Sequence, residues 1–182
     1  MTDELTIWTI GHSTHPLEDF LALLKAHRIE AVADVRSFPG SRRHPQYGKD
    51  ALRDSFAQHG IAYRWFPALG GHRKPSADSV NVAWRNAGFR GYADYMPTEA
   101  FGVGFDDLLK LARELRTTLM CAESVWWRCH RAMIADALLA RGIDVEHILD
   151  AGPTTSHPGT APLRIVDGRV TYPVTEIDGA PP

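Results

Sequence analysis

Five short apolar runs, each followed by enough chain for a helix or a long loop, restrict this sequence more than any other feature. They span residues 5–10, 31–35, 61–66, 118–121 and 145–149. After the first run, Pro16 suits an opening helical turn, and Glu18 and Asp19 lie where the helix dipole favours acid. Leu17, Phe20, Leu21 and Leu24 then recur at helical spacing. Residues 49–59 predict a second helix with Leu52 and Phe56 inward. Residues 91–96 predict a short one, and residues 106–115 a third with Leu108, Leu109, Ala112 and Leu115 on one face. A last helix is expected after the polar turn Ala122-Glu123-Ser124, running to about Arg141. Strands alternating with helices imply an α/β domain, its sheet mostly parallel and covered by helices on both faces.

The domain is expected over residues 1–150. Residues 151–162, rich in Pro, Thr and Gly, read as a linker. Residues 163–182 read as a β-hairpin, turned by Asp167-Gly168, and a loose tail. A chain of 182 residues suits one domain with a real core. The net charge of −2 provides no global field toward nucleic acid or membrane, so any anion binding must come from a local patch. No signal segment and no membrane-spanning apolar run is read. Two cysteines in a chain this long do not make a disulfide scaffold and fit a reducing, cytoplasmic compartment. Cofactor and oligomeric state stay open.

In parallel sheets ligands sit at the carboxyl ends of the strands. The polar residues gather there. Gly11 to Thr14 follow the first run, Asp34 to Arg43 the second, Gly70 to Lys74 the third, and Cys121 to Arg131 the fourth. The last group is the densest, with both cysteines, Glu123, Arg128, His130 and Arg131 in one short stretch. Cations at a helix start are disfavoured by the dipole, so a negative partner is expected there. Glu123, Asp136 or a ligand anion would serve.

At these residues the chain resembles the family known as domain of unknown function 488. The resemblance rests on Thr9-Ile10-Gly11-His12-Ser13-Thr14, on Asp34-Val35-Arg36 with Pro39 and Ser41-Arg42-Arg43, and on Leu69-Gly70-Gly71. It continues through Phe89-Arg90-Gly91-Tyr92-Ala93-Asp94-Tyr95-Met96 and Met120-Cys121-Ala122-Glu123 to Trp127-Arg128-Cys129-His130-Arg131. It covers about residues 5–149 and departs at Pro16, where a small capping residue is commoner. It implies an α/β domain and supplies no activity.

Cys129, near a helix start and beside cations, is in the setting that makes a thiol nucleophilic, although a small buried residue would occupy the same place. Cys121 ends a strand, as core or as a second thiol. His12 and Glu123 are candidates for moving protons. Arg36, Arg128, Arg131, His130, Ser13, Arg43 and Tyr92 are candidates for holding substrate. A phosphatase-type loop fails by one residue, because Trp127 stands where its arginine is needed. Cys121, Cys129, His130 and His12 could assemble a metal site, but no metal-ligand spacing is present, so no residue is assigned to metal. The sequence therefore predicts an enzyme acting on a phosphate-bearing or other anionic substrate, a nucleotide or nucleic-acid end among them. A non-catalytic nucleic-acid module built on the Arg42 and Arg73–Arg90 loops, and a metal-binding protein, are the alternatives. No membrane partner is expected.

Overall fold

A computed structural model describes residues 4–40 and 42–174. Ser41 and the tail from residue 175, expected to be loose, lie outside them. The main sheet is built from β1 (Thr6–Gly11), β2 (Ala31–Asp34), β3 (Ala62–Trp65), β4 (Thr117–Cys121), β5 (Asp144–Ile148) and β6 (Thr155–Ser156). Its order is β3-β2-β4-β1-β5-β6. The first five strands are parallel and β6 is antiparallel. The expected hairpin forms a separate ribbon of β7 (Arg164–Val166) and β8 (Arg169–Thr171). Its turn places both Asp167 and Gly168 at positive φ, as a two-residue hairpin requires.

Successive residues of each strand face opposite sides, so the apolar runs feed two cores. On one side Trp8, Ile10, Val32 and Met120 meet Phe20 and Leu24 of α1 (Leu17–Ala26) and Leu52 and Phe56 of α2 (Lys49–Gln58). On the other, Ile7, Ala33, Leu119 and Cys121 meet α3 (Ala87–Tyr95), α4 (Glu99–Glu114) and α5 (Arg131–Leu139). β1 and β2 therefore pass the chain to helices on one face, and β3 and β4 pass it to the other. From the neighbouring strands β2 and β4 the chain therefore leaves toward opposite faces, and a crevice opens at their carboxyl ends.

Three boundaries differ from the sequence expectation. α3 begins at Ala87, because the Asn86 side chain accepts from the Gly88 and Phe89 amides and caps it. α4 begins at Glu99, capped by Thr98, well before its apolar stripe. The helix expected after Ser124 is instead a 3-10 turn, Trp126–Arg128, followed by extended backbone at Cys129 (φ −133°, ψ 151°). α5 starts only at Arg131. Cys129 and Arg128 thus precede the helix, and His130 is its cap. Residues 151–162, expected as a linker, carry β6 on the edge of the sheet and bury His157.

Candidate functional site

The crevice is a cleft of about 390 Å³ bordered by Arg36, Ser37 and Phe38 after β2, Gly71 to Arg73 after β3, and Cys121 to Glu123 after β4. Arg128, Cys129 and His130 before α5, with Asn86, Gly88 and Phe89 at the start of α3, complete its walls. At its floor the Cys121 and Cys129 sulfurs are 2.6 Å apart. Both thiols are free and almost wholly buried. The extended backbone at Cys129 turns its Sγ back over the helix start, where it accepts from the Arg131 amide at 3.4 Å. A thiolate there caps the positive end of the helix.

His130 supplies the proton acceptor. Its Nε2–H donates to the Val35 carbonyl at 2.8 Å, so Nδ1 is the nitrogen that faces Cys129 Sγ, at 3.5 Å. The ring lies so close to the loop after β3 that a Cβ on Gly71 would come within 2.6 Å of Nδ1. On the far side of the sulfurs stands Arg131, 1 % exposed. Its Nε–H donates to Cys121 Sγ at 3.0 Å, Nη2 to the Glu123 carbonyl at 2.6 Å, and Nη1 to Thr9 Oγ1 at 3.4 Å. Gly11 lets that carbonyl reach inward, because a Cβ there would sit 1.7 Å from the Glu123 oxygen.

Burial opposes ionisation of Cys129. The hydrogen bond from Cys121, the His130 imidazole and Arg131 outweigh it and hold this thiol well below the ordinary range. Cys121 is pushed the other way, by burial first and then by its ionised neighbour. Of the two, Cys129 is therefore the thiol that ionises first.

Behind Arg131 runs a buried hydrogen-bond chain that sequence reasoning did not assemble. Thr9 Oγ1 donates to His147 Nδ1 at 2.6 Å, His147 Nε2 to His157 Nδ1 at 3.0 Å, and His157 Nε2 to Asp136 at 2.8 Å. Asp136 also accepts from the Thr160 amide and hydroxyl and from the Tyr172 hydroxyl. Every donor in this chain points from Arg131 toward Asp136. The guanidinium is therefore oriented by a carboxylate it does not touch. Burial, and then the neighbouring His157 and Arg131, press the His147 pKa down to about 3. Thr9, His147 and His157 come from β1, β5 and the segment after β6, and the only local signal for the chain was Asp136 on α5.

The predicted site residues divide into two groups. Cys129, Glu123, Arg36, Arg128 and His130 border the cleft, with Arg131 directly behind. Arg128 is exposed and has no ion-pair partner among the described residues; neither has Glu123, whose side chain is at the rim. Arg36 is already engaged. Its Nε and Nη2 hold Asp34 at 2.9 and 2.6 Å, and its Nη1 donates to the Tyr47 carbonyl. His12, Ser13, Tyr92 and Arg43 do not border the cleft. His12 is buried and stacked 4.0 Å from Tyr47, donating from Nδ1 to the Ser13 carbonyl and accepting at Nε2 from Arg36. Burial lowers its pKa to about 4 and leaves it neutral. Ser13 holds φ 48° and donates its amide to Ala122, which ties β1 to the loop after β4. Tyr92 is buried, donates to the Leu69 carbonyl and packs its ring 5.2 Å from His130. Arg43 is exposed in the loop after β2.

The aromatics near the Arg42 and Arg73–Arg90 loops are largely spent internally. Trp84 packs on Phe89 and Tyr172, and Tyr47 and Tyr92 are buried. Phe38 alone of the cleft aromatics is strongly exposed, at 73 %. Among the described residues no three His, Cys, Asp or Glu side chains are grouped to hold a metal ion, and no helix is long and apolar enough to cross a membrane.

A parallel α/β sheet with a buried cysteine pair, an imidazole and a guanidinium at its carboxyl edge defines an α/β protein with a thiol site. The chain belongs to the family described as Domain of unknown function DUF488, which matches residues 16–138. The match runs from the helix before β2 into α5 and so contains both cysteines. The Thr9 to Thr14 motif, His147 and His157 lie outside it. No curated protein and no solved structure matches the chain.

Proposed function

We propose that the protein is an enzyme acting on a phosphate-bearing or other anionic substrate, with Cys129 as its nucleophile. The observation that carries this reading is the setting of one sulfur. Cys129 Sγ lies at the start of a helix, within reach of an imidazole nitrogen and a guanidinium-bound second sulfur, on the floor of a cleft. The helix start, the imidazole and the guanidinium-bound sulfur each favour a thiolate. His130 takes the thiol proton at Nδ1 and returns it to the leaving group. Arg131 balances the charge of the sulfur pair. Arg128 and Arg73 on the walls, the first unpaired, attract a substrate anion. A reducing, cytoplasmic compartment would keep both thiols free for this work.

The pH dependence of alkylation tests the proposal. Iodoacetamide is expected to modify Cys129 with an apparent pKa well below about 8.5, the value of a free thiol. Cys129→Ser removes that reaction. Iodoacetate, an anionic analogue, is expected to lose more rate than iodoacetamide in Arg128→Ala. A Cys129 that stays inert until the protein unfolds would sink the reading.

A further inference from the structure

Cys121 has no task in a mechanism that uses Cys129 alone. Its sulfur nevertheless touches Cys129 Sγ, receives the Nε–H of Arg131 and borders the same cleft. A cysteine retained only for packing needs none of these contacts. What a second thiol can do depends on what the first one has bound. If Cys129 carried a phosphoryl group, water would release it, and a neighbouring sulfur would add nothing. If Cys129 carried a sulfur-linked adduct, the atom to be attacked would be Cys129 Sγ itself, which Cys121 already contacts. Closing the pair from 2.6 Å to a disulfide of about 2.05 Å is a small movement. A peroxide would also leave an oxidised sulfur on Cys129, but it is too small to need a cleft of about 390 Å³ with Phe38 and Arg128 on its walls.

Resting on the nucleophile reading above, we infer that the reaction is thiol–disulfide exchange on an anionic low-molecular-weight disulfide, with Cys129 attacking and Cys121 resolving. In the first step the Cys129 thiolate attacks one sulfur of R–S–S–R′. The Cys129–S–R bond forms, the substrate S–S bond breaks, and R′–S⁻ leaves, taking the proton held by His130. In the second step Cys121 gives its proton to solvent, its thiolate paired with Arg131, and attacks Cys129 Sγ. The Cys121–Cys129 disulfide forms and R–S⁻ leaves. Two electrons pass from the cysteine pair to the substrate, which departs as two thiols. A dithiol reductant returns the pair to its starting state by the reverse exchange.

The full chain is treated with 5,5′-dithiobis(2-nitrobenzoate), an anionic aromatic disulfide, and intact mass is recorded. The wild type is expected to release both halves of the reagent and to lose the mass of two hydrogens. Cys121→Ser is expected to release one half and to keep the other on Cys129. Cys129→Ser is expected to lose the fast reaction. With dithiothreitol as reductant, the wild type is expected to accelerate reduction of oxidised glutathione, and neither variant is. A wild-type protein that keeps a stable adduct on Cys129, or that forms the disulfide without accelerating turnover, overturns the inference and leaves Cys129 as nucleophile. A Cys129 that fails to react in both the wild type and Cys121→Ser overturns both readings. Equal turnover of oxidised glutathione and the uncharged 2-hydroxyethyl disulfide overturns the assignment to anionic substrates.

Discussion

A guanidinium buried as deeply as that of Arg131 must be matched by charge or strong acceptors, because an unmatched buried ion is costly. Its nearest polar groups are a carbonyl, a hydroxyl and Cys121 Sγ, with no carboxylate in ion-pair range among the described residues. The sulfur pair is therefore the counter-charge, and the arginine and the thiolate stabilise one another. In Arg131→Lys the compact ammonium cannot keep all three contacts. Alkylation of Cys129 at neutral pH is expected to slow, by about tenfold for each unit its pKa rises above the pH of the assay. Unfolding free energy is expected to fall by about 1–3 kcal/mol, because buried acceptors are left short of a donor. Gly71→Ala acts on His130 alone. The added methyl displaces the ring from its place between the Val35 carbonyl and Cys129 Sγ. Alkylation is expected to slow while the thermal midpoint changes little, and an unchanged rate would separate His130 from the thiol chemistry.

Three residues from two segments remote in sequence bind Asp136, at the middle of α5: His157 and Thr160 after β6, and Tyr172 after β8. Tyr172→Phe is expected to cost about 1 kcal/mol in urea unfolding, and Asp136→Asn about 1–3 kcal/mol, because it leaves several donors short of their acceptor. The two share that acceptor, so the double variant should cost less than their sum. The same elements show what the sequence disclosed. Strands β1 to β5, α1 and α2 were legible because their apolar residues repeat at the strand or helix period. The hairpin was legible because Asp167-Gly168 suits two positive φ values in succession. The start of α5 was not, because the helix is buried nearly all round and has no polar face to mark its first turn. Residues 151–162 looked like linker because local composition does not record the buried bond from His157 to Asp136. The cleft's cysteine, histidine and arginine cluster was visible as a stretch of sequence. The contacts of Thr9 with His147 and Arg131 join β1, β5 and α5, and no local period reports such pairs.

At the scale of the whole molecule, two neutral histidines brace the sheet around β1, and they make its stability depend on acid. His12 stacks on Tyr47 beside Arg36, and His147 stacks 4.4 Å from Trp126 within the Asp136 chain. Burial lowers both, to about 4 and about 3, from the ordinary 6.5. Between about pH 6.5 and pH 4 the unfolded chain therefore binds protons that the folded chain refuses. These groups cost no stability above pH 6.5, and their penalty grows as pH falls through that window. The slope they add is at most about 1.4 kcal/mol per pH unit for each histidine. Urea unfolding at several pH values between about 7 and 4.5 should show this fall. His12→Gln and His147→Gln should each be less stable at pH 7, yet lose stability less steeply as the solution is acidified. A wild-type slope unchanged in both variants would place the acid sensitivity elsewhere.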